Sequence, residues 1–295
     1  MRNHLTSWIF GAALGTLVAA SGAAAQDLKP EDPIVVTGQP EIPRAQAKQF
    51  IREVMTTVEG QFARFREPVC PTMVGIGDEY GAIVSKRIRL MAQEAGIPIG
   101  GEKCAPNIII IVAADADRLV KDMRNTLPTI FAGTSPKEMK RALRSGPVHV
   151  WSAVEVRNED GQGISSGGLD GRSMNGGVLQ VRTASMLELS SQQATVQSVI
   201  VIDDDAMLGK TLAQLGDYVA MRTLASARPP KAGLPADTIL TLFDPTTASP
   251  AGATQIDRSY LKGLYQSRPT GRGSSQANTI ARTISNDSRE RVGLE

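Results

Sequence analysis

Apolar residues recur along this chain in two rhythms. Between Arg44 and Gly60, the residues Ala47, Phe50, Ile51, Val54, Met55 and Val58 stand three and four apart. That is the spacing of one buried helix face, with Gly60 placed to stop the helix. A second stripe, Tyr80, Ile83, Val84, Ile88, Met91 and Ala95, predicts an inward-facing helix that ends at Gly96. The run Asn107 to Ala114, "NIIIIVAA", is β-branched throughout and predicts a strand buried on both faces. "VHVWSAVEVR" (Val148 to Arg157) alternates with period two and predicts a half-buried strand. "QFARFREPVCPTMVGIG" reads as a strand broken by Pro68 and Pro71. "VLQVRTASML" and "QQATVQSVIVI" read as two more strands, paired in a meander.

Helix signals fill the gaps. Asp115 is placed to cap "DADRLVKDMRNTL". In "SPKEMKRALRSG", Ser135 caps, Pro136 takes the first turn, Glu138 closes a capping box and Gly146 stops the helix. Asp203, Asp204 and Asp205 introduce the helix "AMLGKTLAQLGDYVAMRTLASA" and suit its positive end. "TILTLF" and "DRSYLKGLY" read as short helices. The expected fold is α+β, a mixed or antiparallel sheet with packed helices, in one domain over 44–270. Within it, the Gly/Ser-rich stretch 161–177 is expected to be a mobile loop. Residues 271–295 read as a polar tail, partly helical or disordered.

The N-terminus reads as a signal peptide over 1–25. "MRNH" is a short basic start, an apolar run follows, and Ala23 and Ala25 place the cut between Ala25 and Gln26. Residues 26–43 carry Pro30, Pro33, Pro40 and Pro43 and read as an extended linker. No later apolar run approaches ~20 residues, so no transmembrane segment is expected in the mature chain. Periplasmic placement follows, with secretion beyond the outer membrane as the alternative. Cys70 and Cys104 then lie in an oxidising compartment, where an isolated pair forms one disulfide; two buried thiols are the other reading. The formal net charge is +2 and the basic residues are scattered, which argues against a nucleic-acid partner.

Histidine limits the chemistry. The chain has two, and His4 belongs to the signal peptide, which leaves His149 inside the alternating strand. A histidine-based metal site cannot form from one residue, and no cofactor motif is present. "GKT" at Gly209 to Thr211 resembles the end of a phosphate-binding loop, but Asp204 stands where that motif needs glycine, and the segment falls within the helical pattern. The triplet Asp203 to Asp205 lacks the alternation and final Glu of a calcium loop.

Three resemblances add to this. "EDPIVVTGQP" (Glu31 to Pro40) is similar to the TonB box of outer-membrane receptors, although the chain is too short for a receptor barrel. Ile34, Val35, Val36 and Thr37 are therefore candidate partner-contact residues, in extended conformation. The stretch from Phe62 through "CAPNIIIIVAA", with the helix ending "DYVAMR" and the later "DRSYLKGLY", resembles a family of uncharacterised exported alphaproteobacterial proteins over most of 44–266. More distantly it resembles a zincin-type metalloprotease domain. That likeness implies that the zinc motif would fall at Asp217, Tyr218 and Met221, none of which is a zincin residue type, so the scaffold would have lost its metal. The expected role is non-catalytic binding or assembly in the cell envelope, with an envelope protein as partner. The alternatives are a hydrolase on a zincin-like frame and a TonB-linked accessory acting through 31–39.

Overall fold

A computed structural model describes residues 41–164, 177–182, 188–231 and 237–292. The signal-peptide cut at Ala25 and Gln26, the contact residues Ile34 to Thr37, and most of the loop 161–177 lie outside the described residues. From Pro43 the chain enters α1 (Arg44–Val54), whose Ala47, Phe50, Ile51 and Val54 are buried. The helix stops short of Gly60, because Val58 to Gln61 close a turn in which Gly60 takes φ +75°. The short β1 (Arg64–Phe65) and β2 (Pro71–Val74) follow, with Pro68 between them and Pro71 opening β2. Then come α2 (Asp78–Glu94), β3 (Ile108–Ala113) and α3 (Ala116–Thr126). Asp115 caps α3 by accepting the Arg118 N–H at 2.8 Å.

After a 3-10 turn at Pro128–Phe131 the chain forms α4 (Pro136–Ala142), β4 (Val148–Asn158) and β5 (Ser191–Asp203). The remaining helices are α5 (Leu212–Leu224), α6 (Gln255–Gln266) and α7 (Gly273–Val292). "TILTLF" forms only a 3-10 turn, Ile239–Thr241. Among the described residues no helix is long and apolar enough to cross a membrane.

The sheet corrects the antiparallel expectation. β2 runs parallel to β3, and β3 and β1 both run parallel to β5. Only β4 is antiparallel, and it pairs with β5 from Val148↔Ile202 to Asn158↔Ser191. β1 meets β5 at Ala194 and Thr195, and β3 meets it from Ser198 to Asp203. Both edges of β5 are thus occupied along most of its length. Half of the expected meander partner at 178–187 lies outside the described residues. Both sheet faces are covered, as the β-branched run requires. Ile108, Ile110, Ile200 and Ile202 join a large cluster with α1, α2, α5, α6 and α7. Val199, Val201 and Trp151 join a smaller one with α3, α4 and the first 3-10 turn.

Three more expectations are corrected. Tyr80 and Ile83 are 49% and 50% exposed, because α2 buries Gly81, Val84, Ile88, Met91 and Ala92 instead. A Cβ on Gly81 would stand 3.5 Å from Met73, so the helix lies with its glycine against β2. Helix α5 is capped by Thr211 in a reciprocal box with Gln214, whereas Asp203 accepts the Ala116 N–H at the start of α3. The expected tail is helical, as one of its two alternatives had it, but it is not solvent-facing: Ile280, Ala281 and Ile284 of α7 are fully buried in the large cluster.

The Cys70–Cys104 disulfide forms, with Cα atoms 6.0 Å apart, and ties the entry of β2 to the approach to β3. Because Ile284 is a core residue, Ile284→Ala should lower stability by about 2–4 kcal/mol in urea unfolding. A change below about 0.5 kcal/mol would be that of an exposed tail.

Candidate functional site

The three positions where the resemblance would put a metal are closed. Asp217 is fully buried on α5 and forms a two-pronged ion pair with Arg87 of α2, Nε to Oδ1 at 2.5 Å and Nη2 to Oδ2 at 2.8 Å. Its Oδ2 also accepts the Ala253 N–H at 2.6 Å. The bond to Asp217, more than any other influence, holds the Arg87 guanidinium above its ordinary range. The helices approach so closely here that a Cβ on Gly216 would stand 2.6 Å from the Arg87 Cβ. Tyr218 is buried, its ring packs edge-on against Phe243, and its hydroxyl accepts a hydrogen bond from Arg222 Nη1. Met221 lies in the core.

The other sequence candidates have structural occupations. His149 is buried on β4, and its Nδ1, 2.7 Å from the Ala142 carbonyl, fastens the end of α4 to the sheet; its Nε2 lies 3.2 Å from Asp117 of α3 without a hydrogen bond. Gly209 takes φ +74° in the turn before α5, not inside a helix, and Lys210 lies 5.2 Å above the Phe243 ring. Asp203, Asp204 and Asp205 bring carboxylate oxygens within 4.8 Å of one another, but Asp203 already serves the start of α3.

A different group of side chains lines a cavity of about 80 Å³ where the C-terminal ends of α1 and α5 meet α4 and the first residues of β4. Thr56, Glu138, Arg141, Arg222, Ser226 and Arg228 supply its polar lining, and Val148 and Val150 its apolar wall. Glu138 was expected to reach back to the cap of α4. Ser135 does accept the Glu138 N–H at 3.3 Å, but the Glu138 side chain turns inward, where the Ser152 N–H donates to it. β4 is a sheet edge, and its outward N–H groups need partners. Glu138 covers Ser152, and the Gly133 carbonyl covers Val154 at 3.0 Å.

The arginines have unequal freedom. Arg228 sits on the last carbonyls of α1, its Nε donating to Glu53 at 2.7 Å and its backbone N–H to Val54 at 2.8 Å. Arg222 spends Nη1 on Tyr218, while its Nε is buried without a hydrogen-bond partner. Among the described residues no carboxylate lies within ion-pair distance of Arg141 or Arg222. Burial and the neighbouring arginines pull Arg141 below its ordinary range, partly offset by Glu138. Ser226 holds φ +47°, a left-handed geometry that disfavours a residue with a Cβ. Serine lines the cavity there where glycine would be the relaxed choice.

No family model, curated protein or solved structure matches the chain. The pocket is therefore read from its own geometry. Sequence reasoning missed it because its members come from four separated segments. The one local sign was Glu138 in the first turn of a basic helix, which capping chemistry explained equally well.

Burial, opposed by Arg141 and the Ser152 N–H, pushes the Glu138 carboxyl up from 4.5 to about 7. The folded protein thus holds this proton more tightly than the unfolded chain. The resulting stability is full below about pH 4.5 and is lost as pH rises through about 7. Glu138→Gln should therefore be more stable than the parent at about pH 8, by at most about 3 kcal/mol. The gap should close toward about pH 4.5. Thermal unfolding across that range checks both the sign and the trend.

Proposed function

We propose that this chain is an exported, non-catalytic binding protein of the cell envelope, and that the Glu138–Arg141–Arg222 pocket is its ligand site. The observation that carries the reading is a pair of guanidiniums lining one cavity, Arg141 with no ion pair among the described residues and Arg222 with an orphaned Nε. A buried donor left unpaired, as Arg222 Nε is, costs stability, and a ligand in the cavity would complete its bonding. The signal-like N-terminus supports export. A zincin-like frame that has given up its metal fits the same proposal. Helix α5 follows β5 after one short turn, a single antiparallel strand forms the sheet edge, and Asp217 is committed to Arg87.

Metal analysis of the purified protein, with thermal unfolding with and without a chelator, tests the non-catalytic part. The expected result is well under one zinc per chain and no change on chelation. Stoichiometric zinc whose removal destabilises the fold would overturn it.

A further inference from the structure

The cavity has a definite charge balance. Three guanidiniums, Arg141, Arg222 and Arg228, face one carboxyl, Glu138. Even with Glu138 ionised, two positive charges are left over, and Arg144 adds to the field at Arg141. A guanidinium presents its N–H groups as a planar fork that fits the oxygens of a carboxylate or a tetrahedral oxyanion. With Glu138 protonated the surplus is three, and a dianion offsets more of it than a monocarboxylate can. The volume, about 80 Å³, suits a head group rather than an extended ligand. Ser226 and Thr56 add hydroxyl-bearing residues to the same lining.

Building on the binding function proposed above, we propose that the pocket takes a doubly charged tetrahedral oxyanion, a phosphate- or sulfate-type group, and that Glu138 admits it by carrying a proton. An ionised Glu138 repels the anion, whereas a protonated one offers it an O–H donor. The charged groups around Glu138 are Arg141 from α4, Arg222 from α5 and Arg228 beyond α5. The sides formed by β4 and α1 present Val148, Val150 and Thr56, which do not titrate. The elevated affinity of Glu138 for its proton places this gate near neutrality.

Sulfate is the probe of choice because it stays a dianion across the neutral range. Calorimetric titration at constant ionic strength should show sulfate binding about tenfold tighter at about pH 6 than at about pH 8. Glu138→Gln should bind with little pH dependence. Arg222→Gln should weaken binding at least ~tenfold, with Arg141→Gln as a second variant and thermal unfolding to verify that each is folded. Sulfate affinity that is equal at both pH values, or a Glu138→Gln protein that keeps the parent's pH dependence, overturns the gate. Acetate binding as tightly as sulfate, and still sensitive to Arg222→Gln, overturns the dianion assignment but leaves the binding reading intact. No anion bound at either pH overturns both. Among supporting outcomes, inorganic phosphate stronger than glycerol 3-phosphate assigns a free ion, and the reverse assigns an esterified head group.

Discussion

Strand β5 makes backbone hydrogen bonds along both edges and buries side chains on both faces. On one edge it carries β4 for its whole length; on the other it carries β1 and then β3. Ile200 and Ile202 enter one core cluster, and Val199 and Val201 enter the other. Every layer of the fold is therefore registered against this one strand. A slip of one residue would exchange the two sets of side chains and break both clusters together. The pocket inherits its geometry from that registration. Val148 and Val150 form its wall because β4 is held opposite Ile202 and Ile200, and α5 reaches the cavity because it leaves the end of β5.

Arginine plays two roles in this frame, told apart by what surrounds the guanidinium. Arg64 is almost wholly buried with no carboxylate partner among the described residues, and burial pulls it down to about 10. Its Nη1 donates to the Leu264 carbonyl at 2.6 Å and the Tyr265 carbonyl at 3.3 Å, at the negative end of α6. Tyr265 completes the joint, accepting the Phe65 N–H at 3.1 Å and donating to the Leu224 carbonyl at 2.9 Å. Arg87 is likewise committed, through Asp217. Those two hold elements together, although Arg64 Nη2 is also buried without a hydrogen-bond partner. Arg141 and Arg222 differ in lining a cavity, and that open space, not an unpaired nitrogen alone, sets them apart.

Much of the architecture was legible in the chain. The cap at Asp115, the alternation from Val148 and the β-branched run before Ala114 each report a local constraint that the fold keeps. The failures are also physical. Helix α7 looked like a tail because its inward face is built largely from Gln276, Thr283, Ser285 and Ser288, small or amide side chains that hydropathy reads as solvent-facing. Some of these meet their needs close by, as when Ser288 donates to the Ser285 carbonyl at 2.8 Å. The direction of pairing around β5 was not legible, because alternation gives the faces of a strand but not its neighbours. The pocket was not legible because charge balance in a cavity is a property of assembled segments.

The first and last helices described are neighbours. The Ile42 N–H donates to the Ser288 hydroxyl at 3.0 Å, the Gly273 N–H donates to the Gly60 carbonyl at 2.8 Å, and the apolar faces of α1 and α7 share one core. Helix α1 also meets α6, where the Phe50 and Tyr260 rings pack edge-on with centroids 6.0 Å apart. Its buried face is therefore finished only by segments from the far end of the described chain. Cutting the protein before α7 would uncover apolar surface at the opposite end of the sequence, on a helix the cut never touches.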